Sequence, residues 1–175
     1  VVERLPGFAE GLFQVQGEAS QLVGYLLSPQ PGERILDACA APGGKSTQIA
    51  ELMNDRGETI AIDTSERGIG KIRANAGRLG VESVRTVRAD ASEPSSEWGA
   101  APYDRVLADA PCSGLGTLRA HPEIKWNRGE NDIQRLSRLQ LKILHHVSRY
   151  VKRDGILVYS TCTLALDENE RNVEQ

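Results

Sequence analysis

Short apolar runs alternate with amphipathic stretches along this chain, and that alternation limits the folds open to it. Runs of strand length that are rich in Val, Ile and Leu occur five times: RILDACA at 34–40, TIAIDTS at 59–65, VRTVRAD at 84–90, DRVLADA at 104–110 and GILVYSTC at 155–162. Apolar runs without regular polar alternation are typical of parallel strands that are buried on both faces.

Helical patterns separate these runs. One extends from Lys45 to Met53, a second stripe stops at Gly80, and a third runs from Ile133 to Val151. Repeated units of a strand and a helix build an α/β fold, a doubly wound and mainly parallel sheet. At the N-terminus, residues 18–27 predict a further helix, and the piece GLFQVQ at 11–16 predicts a short strand before it. We therefore expect one domain over 1–175, with 1–30 as an N-terminal strand/helix extension.

Composition excludes several classes of protein. With 175 residues and 39% hydrophobic content, the chain is long enough for one domain with a sizeable core. Since no apolar run has the length of a membrane span and VVERLPGF lacks the layout of a signal peptide, we expect a cytoplasmic protein without a membrane partner. The three cysteines are far apart and form no C-x-x-C pair, so neither a metal site nor a disulfide framework is predicted.

Charge gives a mixed indication about nucleic acid. The net charge of −3 argues against a stand-alone nucleic-acid binder. Between Arg119 and Arg153, however, nine basic residues face three acidic ones. This segment either meets a polyanion or is a solvated helix face.

The stretch LDACAAPGGKST at 36–47 resembles the end of a phosphate-binding P-loop but does not match it. A P-loop requires a glycine where this chain has Cys39. Pro42 also removes a backbone N–H that a phosphate needs. A nucleoside triphosphate is therefore not the expected ligand of this loop.

Acids and cysteines follow the ends of the predicted strands: Asp37, Cys39, Asp63, Asp90, Asp109, Cys112 and Cys162. Parallel strands bring these side chains to one edge of the sheet, where such folds bind ligands. Taken singly, each acid is as consistent with a helix cap or a turn. Asp63 follows Gly44 by about twenty residues, the spacing of a ribose-binding carboxylate in dinucleotide folds. Together they predict a ligand with a nucleoside, and clustered carboxylates tolerate a cationic sulfonium.

Three longer motifs are similar to those of a known family. DACAAPGGKST, ADAPCSGLGTLRAHPEIKW and LVYSTCTLALDENE resemble the Sun-family RNA (cytosine-5)-methyltransferases, and GFAEGLFQVQGEASQL resembles the N-terminal motif of that family. The resemblance implies a Rossmann-like class I methyltransferase fold, S-adenosylmethionine as cofactor, and RNA as partner, with ribosomal RNA ahead of transfer RNA.

The resemblance also implies roles for individual residues. The methionine end of the cofactor would be wrapped by one continuous loop: Cys39, Ala40, Ala41, Pro42, Gly43, Gly44 and Lys45. Asp63 would hold the ribose, Asp90 would lie at the adenine, and Asp109 would close the site between cofactor and base.

Cytosine methylation explains the need for two cysteines. Carbon 5 of cytosine is a poor nucleophile until a thiolate adds to carbon 6, and a free thiol needs an activating environment for this. The resemblance assigns the nucleophile to Cys162 and product release to Cys112, with Asp109 on the pyrimidine ring, and Lys45 is a candidate for the activating charge. Because DNA cytosine methyltransferases use a Pro-Cys nucleophile, Cys112 is the rival. Cys39 is interpreted as a small buried hydrophobe.

Some residues depart from the family pattern. Gly17 replaces an expected Asp, and Ala120 replaces an Arg. The sequence stops at DENERNVEQ, so we expect a catalytic-core fragment, truncated at the C-terminus and without the last two strands of a seven-stranded sheet. For Trp126, packing beneath the active-site loop is favoured over stacking on an extruded base.

Two other classes of function stay open. One is a methyltransferase for a different substrate, namely tRNA, a protein or a small molecule. A protein or small-molecule methyltransferase would share the cofactor loop but would not need both cysteine motifs. The other is a non-catalytic module with the same fold, in which a broken cysteine or aspartate would be expected.

Overall fold

The predicted strands form a single parallel sheet in the computed structural model, which describes residues 2–98 and 102–175. The strands are β1 Arg34–Asp37, β2 Glu58–Asp63, β3 Val84–Arg88, β4 Tyr103–Asp109 and β5 Val151–Ser160. Their order in the sheet is β3-β2-β1-β4-β5, and each neighbouring pair is parallel. The chain therefore reverses direction across the sheet between β1 and β4, and ligands of doubly wound folds bind at such a reversal. The predicted fold class is confirmed.

Helices cover both faces of the sheet. They are α1 Glu18–Leu27, α2 Gly44–Leu52, α3 Glu66–Leu79, α4 Ile124–Asn127, α5 Glu130–Val147 and α6 Glu170–Val173. Single 3₁₀ turns occupy Val2–Arg4, Leu115–Thr117, Ser148–Tyr150 and Leu166–Glu168. Among the residues that the structure describes, no helix is long and apolar enough to cross a bilayer.

Alternate side chains of the central strands pack into apolar clusters on the two faces of the sheet. On β1, Ile35 packs with Leu27 of α1 and Ile49 of α2. The next residue, Leu36, packs on the opposite face with Ile143 of α5. Because successive strand residues point to opposite faces, strands that are apolar throughout can support helices on both sides.

One predicted helix boundary and one predicted strand are wrong. The helical stripe expected to reach Val151 ends at Val147, and Val151 begins β5 because its backbone pairs with Tyr103 of β4. The strand expected at 11–16 is not formed, although the helix after it is present as α1. This segment is held by side chains instead: Gln14 Nε2 donates to Gly44 O at 3.3 Å, and Arg78 donates to Phe13 O at 2.9 Å.

Candidate active site

A cavity of about 520 Å³ lies at the carboxyl edge of the sheet, across the reversal between β1 and β4. Seven of the predicted site residues line it: Cys39, Ala41, Asp63, Asp90, Asp109, Cys112 and Cys162. The other predicted loop residues, Ala40, Pro42, Gly43, Gly44 and Lys45, are not part of its wall. Wall residues that the sequence did not indicate are Ala38, Thr64, Ala89, Ala91, Ala110, Pro111, Leu139 and Ile143.

The loop between β1 and α2 forms a tight turn against α3. Ala40 N donates to Ile62 O at 2.9 Å, and Gly43 N donates to Ala40 O at 2.7 Å. Gly43 has a φ of +103°, and a Cβ at this position would lie 2.9 Å from the Cα of Ile72. A glycine is thus required at 43 both for backbone conformation and for space. The residues outside the cavity wall shape this turn, and those inside it, Cys39 and Ala41, face the ligand space.

Two acids stand at the ends of β2 and β3. Asp63 accepts from the backbone and the hydroxyl of Ser65 through Oδ1, both at 2.9 Å, and Asp90 Oδ1 accepts from Ser92 N at 2.8 Å. Each carboxylate therefore stabilises a turn with one oxygen. The second oxygen of each has no hydrogen-bond partner within the described ranges 2–98 and 102–175, so it is able to accept from hydroxyl or amine groups of a ligand in the cavity.

A second pair of acids lies deeper. Asp37 is buried, its Oδ2 accepts from Ser46 Oγ at 2.6 Å, and burial raises its pKa to about 6. Asp109 is held from two sides, by Lys45 Nζ at 2.5 Å and by Ser160 Oγ at 2.7 Å. Lys45, at the start of α2, therefore points back into the site and is ion-paired with a carboxylate, whereas the lysine of a phosphate loop contacts phosphates.

The two cysteines of the motifs meet in space although 50 residues separate them. Cys112 Sγ and Cys162 Sγ are 2.9 Å apart, and Cys162 N donates to Cys112 Sγ at 3.1 Å. The hydrogen bond from the Cys162 thiol, together with backbone N–H groups of Cys162 and Gly114, lowers the pKa of Cys112 to about 7. The same contact, followed by burial, raises the pKa of Cys162.

The two thiols therefore titrate as a pair. The first proton leaves more easily than from an isolated thiol, because the remaining thiol hydrogen-bonds the new charge. The second leaves less easily, because it would create a like charge next to the first. The backbone donors place the first negative charge on Cys112. Hydrogen bonds thus account for the lowered pKa, not the lysine charge that the sequence suggested.

Cys39 differs from this pair. It is a free thiol in the cavity wall, and burial, with the nearby carboxylates adding to it, raises its pKa. Unlike the Cys162 thiol, it has no hydrogen bond to a neighbouring sulfur among the described residues, so no adjacent thiolate is in place to take its proton, and it is a poor nucleophile. This fits its interpretation as a small hydrophobe.

A buried carboxylate stands behind the cysteine pair. Glu168 is 0% exposed, its Oε1 accepts from Ser113 N at 2.9 Å, and its Oε2 accepts from Ser113 Oγ at 2.5 Å. Ser113 Oγ in turn lies 2.8 Å from Thr163 Oγ1. Since Ser113 follows Cys112 and Thr163 follows Cys162, this contact ties the two cysteine loops together. We call Ser113, Thr163 and Glu168 the polar clamp.

Helix α5 completes the support of the clamp. Gln140 Nε2 donates to Glu168 Oε1 at 2.8 Å and to Pro111 O at 2.9 Å. Asn172 Nδ2 donates to Gln140 Oε1 at 2.9 Å. In the sequence Gln140 is a polar interruption of the apolar stripe of α5, and in the structure it joins this helix to the loop that carries Pro111.

The environment predicted for Trp126, in the segment after Cys112, differs from the observed one. Trp126 in α4 is 81% exposed, so the packing role expected for it is wrong. Ile124, two residues earlier in α4, packs instead, at Gly114.

The cavity suits the cofactor implied by the resemblance. Its volume is within the range of small-molecule sites, its wall is largely apolar, and three carboxylates face it. No group of three or more His, Cys, Asp or Glu side chains with metal-binding geometry occurs in the described part of the chain.

Comparison with known proteins gives concordant matches. The profile of the family "16S rRNA methyltransferase RsmB/F" matches residues 24–175. A probable ribosomal RNA small subunit methyltransferase B from Synechocystis is 44% identical over 174 residues, 99% of this chain and 39% of that protein. Ribosomal RNA small subunit methyltransferase B from Proteus mirabilis is 42% identical over 173 residues, 98% of this chain and 40% of that protein.

The solved structures agree with these matches. The crystal structure of NSun6 from Pyrococcus horikoshii with SFG superposes with a TM-score of 0.90 and 38% identity, and the match covers 98% of this chain and 44% of that one. The chain thus spans about two fifths of the length of the curated relatives.

Proposed function

Because this chain belongs to the RsmB/F family of 16S rRNA methyltransferases, which confirms the resemblance and its cofactor, we propose that it transfers a methyl group from S-adenosylmethionine to carbon 5 of a cytosine in RNA, ribosomal RNA above all. The observation that carries the proposal is the pair of sulfur atoms 2.9 Å apart in the wall of a cavity that also presents Asp63, Asp90 and Asp109. A methyltransferase that acts on an already nucleophilic atom has no use for such a pair.

The cofactor site divides into two ends. The free oxygens of Asp63 and Asp90 accept from the ribose hydroxyls and the adenine amine. The wall formed by Ala38, Cys39 and Ala41 borders the methionine end, next to Asp109. S-adenosylmethionine, when bound, supplies an electrophilic methyl group. The carboxylates favour its positive sulfonium and disfavour phosphates.

One proton moving between the two sulfurs serves both halves of the reaction. Cys112 as thiolate takes the proton from the Cys162 thiol, and the Cys162 thiolate adds to carbon 6 of cytosine. The ring electrons then make carbon 5 the nucleophile that accepts the methyl group. Water removes the carbon 5 proton, the bond between carbon 6 and sulfur breaks, and Cys112 returns its proton to the leaving Cys162 sulfur.

Asp109 acts on the base rather than on the thiols. Its carboxylate is oriented by Lys45 and Ser160 and stands beside Ala110, Pro111 and Cys112 in the cavity wall. A hydrogen bond donated by the 4-amino group of the cytosine to Asp109 orients the ring so that carbon 6 faces Cys162. The ion pair holds Asp109 in one position before the base arrives, which reduces the ordering cost in the reaction.

Methyl transfer from labelled S-adenosylmethionine tests the activity. Since the chain spans two fifths of its relatives, the protein at its natural length is incubated with ribosomal RNA and, separately, with transfer RNA, and the methylated nucleoside is identified by mass spectrometry. We expect 5-methylcytidine in ribosomal RNA. Label in protein, or in a base other than cytosine, would refute the proposal, and label in transfer RNA alone would correct the substrate.

Covalent trapping tests the mechanism. RNA with 5-fluorocytosine at the target cannot lose a proton from carbon 5, so the adduct persists. We expect Cys162→Ala to abolish the adduct, Cys112→Ala to retain it, and Cys39→Ala, the matched control for a third thiol in the cavity, to retain it as well. An adduct that survives in Cys162→Ala and disappears in Cys112→Ala would move the nucleophile to Cys112.

A further inference from the structure

Trp126 is a large apolar side chain left on the surface. It is 81% exposed, whereas the other tryptophan, Trp98, is 1% exposed and stacks on Tyr150 at 4.7 Å between ring centroids. The only ring contact of Trp126 within the described residues comes from Lys125, whose Nζ lies 5.2 Å from the ring centroid. An exposed indole of this kind is able to bind a flat partner on its face.

The segment that carries Trp126 is fastened to both cysteine loops. We call residues 113–129 the post-cysteine segment. Gly116 N donates to Cys162 O at 2.9 Å. The Cδ1 of Ile124 lies 2.9 Å from the place that a Cβ on Gly114 would occupy, so α4 packs directly on the turn after Cys112. The segment that leads to Trp126 is thus anchored on the loops that carry both sulfurs.

Charge around the indole favours a polyanion. Arg119, Lys125 and Arg128 of the post-cysteine segment are all exposed. The one acid of the segment, Glu123, lies 3.3 Å from His121 Nδ1. Exposed cations interleaved with an aromatic ring are what single-stranded nucleic acids bind, through phosphates and base stacking respectively. The cations around the indole are all of one sign, and a polyanion is the partner that complements them.

We infer that Trp126 stacks on an unpaired base of the RNA strand that enters the cysteine pair, while Lys125 and Arg128 contact the flanking phosphates. The identity of the strand rests on the proposed function, but the stacking itself is measured without methyl transfer. The stacked base is a neighbour of the target cytosine, since the target must leave the strand to reach Cys162.

Tryptophan fluorescence tests the inference directly. A single-stranded oligoribonucleotide is titrated into the 175-residue chain, in which Trp98 is shielded and Trp126 is accessible to solvent. We expect quenching of Trp126 emission and protection of Trp126 from acrylamide. An oligonucleotide of equal length with abasic positions in the centre should bind without quenching, because it offers phosphates but no ring.

Variants measure the contribution to affinity. Trp126→Ala is expected to weaken RNA binding by about 5- to 150-fold, the range for loss of one stacked base, and Trp126→Phe to restore most of the affinity. Tyr25→Ala, which removes an exposed aromatic side chain from α1, is the matched control and should change the affinity less than twofold.

Three results would overturn the inference. The first is RNA affinity in Trp126→Ala equal to that of Tyr25→Ala. The second is equal quenching by the abasic strand. The third is a Trp126 that is already shielded from acrylamide in the natural-length protein without RNA, because the indole would then be covered by protein. Failure of the proposed function is distinguishable: quenching and Trp126-dependent binding without cytosine methylation would leave the stacking intact and remove the activity.

Discussion

Two substitutions of Glu168 test how much the polar clamp contributes to stability. Glu168→Ala removes both the side-chain acceptors and the charge, whereas Glu168→Gln removes the charge and keeps the shape. Glu168→Ala removes the acceptor of three hydrogen bonds. Ser113 Oγ keeps Thr163 as a neighbour, and Gln140 Nε2 keeps Pro111 O, so only Ser113 N loses its sole acceptor. An orphaned buried donor costs about 1–3 kcal/mol, and the vacated volume adds to this. We expect a loss of about 3 kcal/mol in the free energy of unfolding.

Glu168→Gln should cost much less. The amide oxygen can replace Oε1 and accept from Ser113 N and Gln140 Nε2. The amide nitrogen can replace Oε2 and donate to Ser113 Oγ, whose own proton turns toward Thr163. All three contacts survive without the charge, so we expect a cost of about 1 kcal/mol.

Urea unfolding at pH 7 measures these differences, with the free energy extrapolated linearly to water. Glu170→Ala, an exposed acid two residues further along, is the control and should cost less than about 0.5 kcal/mol. The reasoning fails if Glu168→Ala is no more costly than this control, or if Glu168→Gln is as costly as Glu168→Ala.

The clamp also has a chemical readout. The charge of Glu168 partly opposes the lowering of the Cys112 pKa. Glu168→Gln should therefore shift the pH midpoint of Cys112 alkylation further below its value in the parent protein, an effect that loss of stability alone does not produce.

Three further predictions concern the thiols, the buried acid and the cofactor loop. Iodoacetamide should alkylate Cys112 with a midpoint near pH 7, and in Cys112→Ala the midpoint of Cys162 should fall, because its neighbour no longer raises its pKa. Since burial raises the pKa of Asp37 from 3.8 to about 6, the folded state binds that proton more tightly than the unfolded state, and stability is lost as pH rises through this window. Asp37→Asn should therefore gain up to about 3 kcal/mol above pH 6 and little below pH 4, measured by thermal unfolding. Gly43→Ala should cost about 1–2 kcal/mol for its left-handed backbone alone, whereas Gly44→Ala, where a Cβ would meet only Gln14 Oε1 at 3.8 Å, an ordinary contact, should be tolerated.

Each of these three predictions has an outcome that would contradict it. A Cys112 midpoint near the ordinary value of 9 would mean that the sulfur contact does not form in solution. A gain from Asp37→Asn that is equal at pH 4 and pH 7 would show that the benefit is not one of ionisation. Equal costs at Gly43 and Gly44 would remove the backbone argument for the loop.

The sheet and the acids at its edge were predictable because each depends on local patterns. Apolar runs of strand length identify the strands, and parallel strands must end at the same edge, so Asp63, Asp90 and Asp109 necessarily approach one cavity. Cys112 and Cys162 follow adjacent strands, β4 and β5, and this adjacency brings them together. The prediction of a strand at 11–16 was wrong. An apolar pattern forms a strand only where a neighbouring strand is available to pair with it, and this segment contacts helices α2 and α3 instead.

The polar clamp was not predictable. Ser113 and Thr163 lie in loops and Glu168 lies in a 3₁₀ turn, and each alone has the appearance of an ordinary surface or capping residue. Their burial depends on how α5 crosses the sheet, which no local pattern specifies. The exposure of Trp126 was missed for the related reason that aromatic residues are buried on average, and the exception is visible only in three dimensions.

Site residues that come before the reversal between β1 and β4 in the sequence differ in role from those that come after it. Residues before the reversal supply two of the three carboxylates of the cavity, Asp63 and Asp90, and residues after it supply Asp109, the sulfurs, the clamp and the exposed indole that we propose to meet the acceptor. After β1, the polypeptide passes from one half to the other between β3 and β4, while α1, which precedes β1, packs on β4 and β5 as well as on β1. Substitutions that change the preferred acceptor can therefore accumulate in the later half while the earlier half is unchanged. The same fold can then act on different targets and still bind the same methyl donor.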